Sequence, residues 1–189
     1  LIKENKIQLC EELNIPKDAI LILSVGELNA NKNHKIVIEI LPELPNNVHY
    51  LMCGDGQLKE QHERLAKKLH VSDRLHFLGY RKDVIKIMKS CDIFVFPSKR
   101  EGLSVALMEA MACGLPCVVS KIRGNEDLIE NEKGGYCVDL ENESFNIYIN
   151  KILELDLSRS MAAFNYNKVS NYSIKKVNLK MREIYERNE

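Results

Sequence analysis

The chain reads as an α/β protein built on a parallel β-sheet with helices on both faces. Short, continuous apolar runs, AILILSV at 19–25 and DIFVFP at 92–97 among them, alternate with segments of helical periodicity, the pattern of βαβ units. The runs are continuously apolar over most of their length, as strands buried on both faces are, and do not alternate with polar residues. Polar loops follow them, where a parallel sheet presents its ligand-binding loops. At 189 residues, 45% of them hydrophobic, the chain is large enough for one domain with a substantial core.

Residues 3–13, KENKIQLCEEL, place Ile7, Leu9 and Leu13 on a modest helix that ends before Pro16, so 1–18 forms a lead-in. Ala19–Val25 is the first strand. The polar loop GELNANKN follows, and Asn33 is the expected N-cap of the helix HKIVIEILPEL. Asn47–Cys53, NVHYLMC, is the second strand, after which Gly54-Asp55-Gly56 turns into the amphipathic helix QLKEQHERLAKKL. His62 and His70 lie among its charges and are expected to face solvent. Arg74–Leu78 is the third strand, Gly79 and Tyr80 the turn, and RKDVIKIMKSC a short helix with Asp83 near its positive end. Asp92–Pro97 is the fourth strand, Cys117–Ser120 the fifth, and 134–138 a short last one. Between these last two, Gly124 and Asn125 in IRGNEDLI allow close approach to a ligand. From 141 to 189 come three helical patterns without strands, SFNIYINKILEL, SRSMAAFNYNKV and YSIKKVNLKMREIYERN, expected to cover the sheet and its edge.

Everything is arranged around Pro97–Pro116, PSKREGLSVALMEAMACGLP, in which seven residues separate Glu101 from Glu109. Gly102 permits a tight turn after the fourth strand. Ser104 is the expected N-cap of a helix that is apolar nearly all round, stopped by Gly114 and Pro116. The first-turn amides of that helix point toward the end of the preceding strand, where an anion is well placed. Glu109 is the only charge on the helix. A carboxylate there needs hydroxyls, amides or a cation to satisfy it, so a Lys or Arg partner, water and sugar hydroxyls are the alternatives.

The stretch resembles the E-x7-E signature of retaining family 4 glycosyltransferases, which have the GT-B fold. The resemblance covers about residues 15–140 and is greatest to the branch that builds bacterial capsule and exopolysaccharide. It implies a Rossmann-like donor-binding domain over 19–140, with 141–189 packing on the same domain: the C-terminal half of a GT-B enzyme. It further implies that Glu101, with the amides of Gly102 and Leu103, meets the donor sugar. Val105 and Ala106 amides meet the diphosphate and Glu109 the ribose. Lys32 matches the family's phosphate-binding Lys, whereas Glu27 stands where the family carries Arg. Gly26 and Gly54 match loop glycines beside the donor, and Tyr80 and Arg81 are the candidates for the base. Ser104 stands where the family often has Gly, and its hydroxymethyl group crowds or hydrogen-bonds the donor.

The resemblance implies no cofactor and no metal; the nucleotide sugar, UDP- or GDP-linked, is a substrate. The implied partner is an N-terminal acceptor domain of the same full-length protein, with peripheral membrane association through that domain and a cytoplasmic location. Formal net charge is zero and the basic residues are scattered, which argues against nucleic acid as a partner. No apolar run reaches membrane-spanning length. Six cysteines without a C-x-x-C pair read as reduced core residues, and Gly-Leu-Pro between Cys113 and Cys117 argues against zinc there. A nucleotide-sugar epimerase of the same fold and a non-catalytic nucleotide-binding subunit are the alternatives. A dinucleotide-binding domain would need G-x-G-x-x-G after the first strand, where GELNAN has one glycine.

Overall fold

A computed structural model describes residues 4–155 and 157–186. Six strands, β1 (Ile20–Val25), β2 (Val48–Cys53), β3 (Leu75–Gly79), β4 (Ile93–Phe96), β5 (Cys117–Ser120) and β6 (Gly135–Val138), form one sheet in the order β3-β2-β1-β4-β5-β6. Every pairing is parallel. The chain starts at the centre, builds outward to β3, returns to the other side of β1 and builds outward to β6. Strand order reverses between β1 and β4, so the loops leaving those two strands part and open a crevice at their C-terminal ends.

The helices are α1 (Glu4–Leu13), α2 (Lys35–Ile40), α3 (Lys59–Lys68), α4 (Val84–Ser90), α5 (Val105–Ala112), α6 (Arg123–Glu126), α7 (Asn142–Glu154), α8 (Ser158–Val169) and α9 (Ile174–Glu186). Side-chain alternation along the strands divides the core in two. Ile22, Tyr50 and Val95 pack with Val37 and Ile40 of α2 and Phe145 and Ile149 of α7 on one face. Leu21, Leu23 and Phe94 pack with Leu9 of α1, Met88 of α4 and Leu107 and Met111 of α5 on the other. This is the Rossmann-like α/β arrangement the apolar runs predict.

Several local expectations change. Asn33 adopts a left-handed conformation, φ 54°, and the residue before α2 is His34, which makes no side-chain cap. The predicted 34–44 helix ends at Ile40 and continues as a 3-10 turn over Leu41–Glu43, with Pro42 inside it. His62 is buried, because α3 turns His62 and Ala66, one turn apart, toward the sheet; His70 is exposed as expected. Gly124 approaches backbone, since a Cβ there would stand 2.1 Å from the Gly102 carbonyl oxygen. Asn125 is buried, its amide donating to the Ser120 carbonyl at 2.9 Å. Of the three C-terminal helices, α7 packs on α2, β5 and β6, and α8 on α5. Asn165 of α8 donates to the carbonyls of Leu115 and Gly134, both at 2.7 Å. The described part of α9 buries no residue of its own, unlike the covering helix its pattern suggests. Lys3 and residues 187–188, at the ends of predicted helices, lie outside the described residues.

Four of the six cysteines, Cys10, Cys53, Cys91 and Cys117, are buried. Burial pushes the Cys53 thiol up to about 12 and that of Cys137 to about 11, which makes them poor nucleophiles at neutral pH.

Candidate functional site

The loop after β1 is shaped by Asn29. Its side-chain oxygen accepts from the amides of Asn31 and Lys32, both at 3.0 Å, an Asx turn that the Asn-rich sequence NANKN favours. Its side-chain amide donates to Glu27 at 2.9 Å, so the residue at the family's Arg position is held within its own loop. Asn31 ties this loop to the one after β4: its carbonyl accepts from Lys99 N at 2.8 Å and its side chain donates to the Arg100 carbonyl at 2.9 Å.

These ties bring Lys32 across the strand-order reversal. Lys32 Nζ donates to Glu101 Oε1 at 2.7 Å, with 19% and 13% of the two side chains exposed. The ammonium also lies 4.6 Å from the centroid of the Phe96 ring. Glu101 is therefore half of an ion pair and not a solvated loop acid.

Beside it, α5 begins as its sequence predicts. Ser104 Oγ accepts from Leu107 N at 3.3 Å, while the amides of Val105 and Ala106 have no carbonyl four residues back to bond. An anion at this end faces free N–H groups and the positive end of the helix. Leu103 and Val105 are exposed. Glu109 lies one turn beyond Val105 on the same stripe and is partly exposed. It has no ion pair or side-chain hydrogen bond among the described residues, so none of the Lys and Arg side chains described there satisfies it.

On the other side of the β1 loop is a cavity of about 410 Å3, walled mainly by apolar groups and lined by Val25, Gly26, Glu27, Cys53, Gly54, Asp55, Tyr80, Arg81 and Val84. Gly54 has φ 143°, and a Cβ on it would stand 2.0 Å from the Gly26 carbonyl oxygen. Glycine thus lets the ends of β1 and β2 touch beneath the cavity. Tyr80 stands at its rim, 84% exposed. Arg81 is committed to carboxylates: Nε and Nη2 donate to Asp83 at 2.8 and 2.9 Å, and Nη1 donates to Glu12 of α1.

Behind the loop runs a buried polar chain. Tyr50 OH donates to Ser24 Oγ at 2.8 Å and Ser24 Oγ to the Val95 carbonyl at 2.6 Å. With the tyrosine proton used, His34 Nδ1 donates to the Tyr50 oxygen, 2.9 Å away. The His62 ring meets His34 edge-on at 6.1 Å. Burial, and secondarily His62, drives the His34 pKa down to about 3; burial also lowers that of His62.

The structure thus gathers the predicted Lys32, Glu101, Gly102, Leu103, Ser104, Val105 and Ala106 at the crevice, with Glu109 one turn along α5. Gly26, Gly54, Tyr80 and Arg81 line the adjoining cavity. Sequence reasoning missed Phe96, Asn31 and Glu12, whose roles depend on which loops become neighbours. Among the described residues no group of three or more His, Cys, Asp or Glu is placed to hold a metal ion.

The family model described as glycosyl transferases group 1 matches residues 5–169. The Escherichia coli UDP-Gal:alpha-D-GlcNAc-diphosphoundecaprenol alpha-1,3-galactosyltransferase is 31% identical over 191 residues, covering 96% of this chain and 49% of the relative. A Campylobacter jejuni N-acetylgalactosamine-N,N'-diacetylbacillosaminyl-diphospho-undecaprenol 4-alpha-N-acetylgalactosaminyltransferase is 32% identical over 124 residues, covering 65% of this chain and 34% of its own. The crystal structure of Anabaena Alr3699/HepE in complex with UDP and glucose has the same fold over 96% of this chain and 52% of that one, with TM-score 0.88 and 24% identity. The chain therefore spans about half the length of the proteins it matches.

Proposed function

Because the chain belongs to the group 1 glycosyl transferases, we propose that it is the half of a retaining GT-B glycosyltransferase that binds the nucleotide-sugar donor. The observation that carries the reading is the meeting of Lys32 with Glu101 beside the free N-terminus of α5. In a nucleotide sugar the bond that breaks joins the sugar to a diphosphate, and negative charge develops on the departing oxygen. A fixed ammonium and the oriented amides of Val105 and Ala106 stabilise that charge without reorganising. Glu101, anchored through Lys32, accepts from donor-sugar hydroxyls, with Gly102 and Leu103 amides beside it. Glu109 accepts from the ribose. The base enters the apolar cavity under Tyr80; Arg81, neutralised by Glu12 and Asp83, serves there as a wall and not as a free cation.

Uridine is the base we assign, supported by the UDP-Gal named for the Escherichia coli relative and the UDP in the Anabaena crystal. A hexose-type sugar and an acceptor carried on a lipid diphosphate are supported by the two bacterial relatives. No helix among the described residues is long and apolar enough to cross a membrane; we assign the acceptor to the companion half of the full-length protein. Without that half, the acceptor is not held in line, and this positioning is worth several kcal/mol of barrier. The chain alone then binds donor and transfers nothing.

Two measurements test this. Titration calorimetry of the chain with UDP, GDP and uridine should give binding in the order UDP, GDP, uridine. A product assay with UDP-hexoses and a lipid-diphosphate sugar acceptor should show transfer by the full-length protein and none by this chain. No affinity for any nucleotide removes the donor-site reading, and sustained transfer by the chain alone removes the two-half reading.

A further inference from the structure

We propose that Phe96 is a positioning residue for the donor diphosphate: the face of its ring holds the Lys32 ammonium at the crevice before the ligand arrives. The proposal rests on the donor-site reading above and adds to it a residue that never touches the donor.

An ammonium has three N–H donors. One is spent on Glu101 Oε1 at 2.7 Å, and the ring, 4.6 Å from Nζ to centroid, takes a second direction. The third remains for an incoming anion. The lysine stem is confined as well, since even a Cβ on Gly26 would lie 3.0 Å from Lys32 Cε. Phe96 cannot swing aside. It is 1% exposed, its ring stacks on Phe94 with centroids 5.7 Å apart, and its strand position pairs with Val119.

The choice of an aromatic ring has an electrostatic reason. A second carboxylate at this place would hold the ammonium equally firmly, but Glu101 is already there and Glu27, Asp55 and Glu109 stand on neighbouring loops and on α5. One more negative charge would repel a diphosphate. A leucine would fill the volume without attracting the cation. The quadrupole of phenylalanine attracts it and adds no net charge.

The test replaces Phe96 in the 189-residue chain, at that site alone, with mono-, di- and trifluorophenylalanine, which weaken the ring's negative face stepwise at nearly constant shape. UDP and uridine affinities are measured by calorimetry. UDP affinity should fall step by step, by about three- to tenfold at the trifluoro ring, while uridine affinity stays constant. Phe96→Leu should do the same, and by proton NMR it should abolish the upfield ring-current shift expected for the Lys32 Cε protons of the ligand-free parent. A flat UDP series, with Lys32→Ala still lowering UDP affinity, overturns the role of Phe96 and leaves the donor site standing. Parallel loss of UDP and uridine makes Phe96 a packing residue and also overturns it. A parent chain that binds neither ligand removes the donor-site reading and the proposal together.

Discussion

The ammonium of Lys32 and the carboxylate of Glu101 stand 2.7 Å apart although they lie 69 positions apart in the chain. The pair joins a group assigned to phosphate with one assigned to the sugar, and a carboxylate has lone pairs enough to serve both the ammonium and donor hydroxyls. Glu101→Gln keeps the shape and removes the charge. UDP should then bind at least as tightly as to the parent, because Lys32 is no longer partly neutralised. A UDP-hexose should lose about 1–2 kcal/mol of its advantage over UDP. Calorimetry on both ligands checks this, and equal shifts for the two would detach Glu101 from the sugar.

Glu109 is partly exposed on an otherwise uncharged helix and has no partner among the described residues. Glu109→Gln should weaken UDP by about 1–3 kcal/mol through loss of charge-assisted bonds to ribose. The parent should lose a similar amount on 2'-deoxy-UDP, and the variant should hardly distinguish the two ligands. Unchanged affinity with an intact circular dichroism spectrum would return Glu109 to a structural role.

Buried neutral imidazoles make the fold acid-sensitive. The His34 pKa is depressed to about 3 in the folded chain, against about 6.5 when unfolded. The unfolded state therefore binds the extra proton first, so the stabilisation is complete above about pH 6.5 and drains away as pH falls toward 3. Between pH 7 and pH 5 this one group should cost about 2 kcal/mol, with His62 adding in the same direction. Burial also lowers the pKa of His49 and brings that of His76 down to about 4, so urea unfolding at the two pH values measures the summed loss, and His34→Gln should reduce it by about 2 kcal/mol without flattening it. A profile equally steep in the variant would place the sensitivity elsewhere.

Gly124→Ala tests how the loops are spaced. Its Cβ would lie 2.1 Å from the Gly102 carbonyl oxygen, so α6 or the Glu101 loop must move. Stability should fall by about 1–3 kcal/mol, and UDP-hexose affinity should fall more than uridine affinity, since the base cavity lies on the other side of the β1 loop. Loss of both ligands in proportion would mean that the whole domain has loosened.

Composition makes the strands legible, because strands covered on both faces are largely apolar; predicted and observed ends differ by at most about one residue. Ser104 is legible as a cap because its local chemistry leaves little else for it to do in front of an apolar helix. His62 is not. A histidine among the charges of KEQHERLAKK looks solvated, and its ring meets a buried neighbour in His34, which arrives from the turn ahead of α2. The same holds for Arg81, whose carboxylate partner Glu12 lies in the lead-in helix. The motif residues can be picked out one by one, but their contacts follow from strand order, which no local pattern encodes.

Strand order also has a consequence in time. β1 is made first and joined on one side by β2 and β3, and its other side is closed only when β4 arrives. Closing so long a loop is entropically costly and slow. A chain still emerging, or stalled in refolding, with only its first three strands in place already carries Lys32 but lacks Phe96 and Glu101 to hold it. The crevice is thus a late product of folding, and recovery of UDP binding should trail recovery of helix content. The base cavity, by contrast, is lined by loops of the first three strands and the start of α4, so the half-built sheet offers a nucleotide a place for its base but not for its diphosphate.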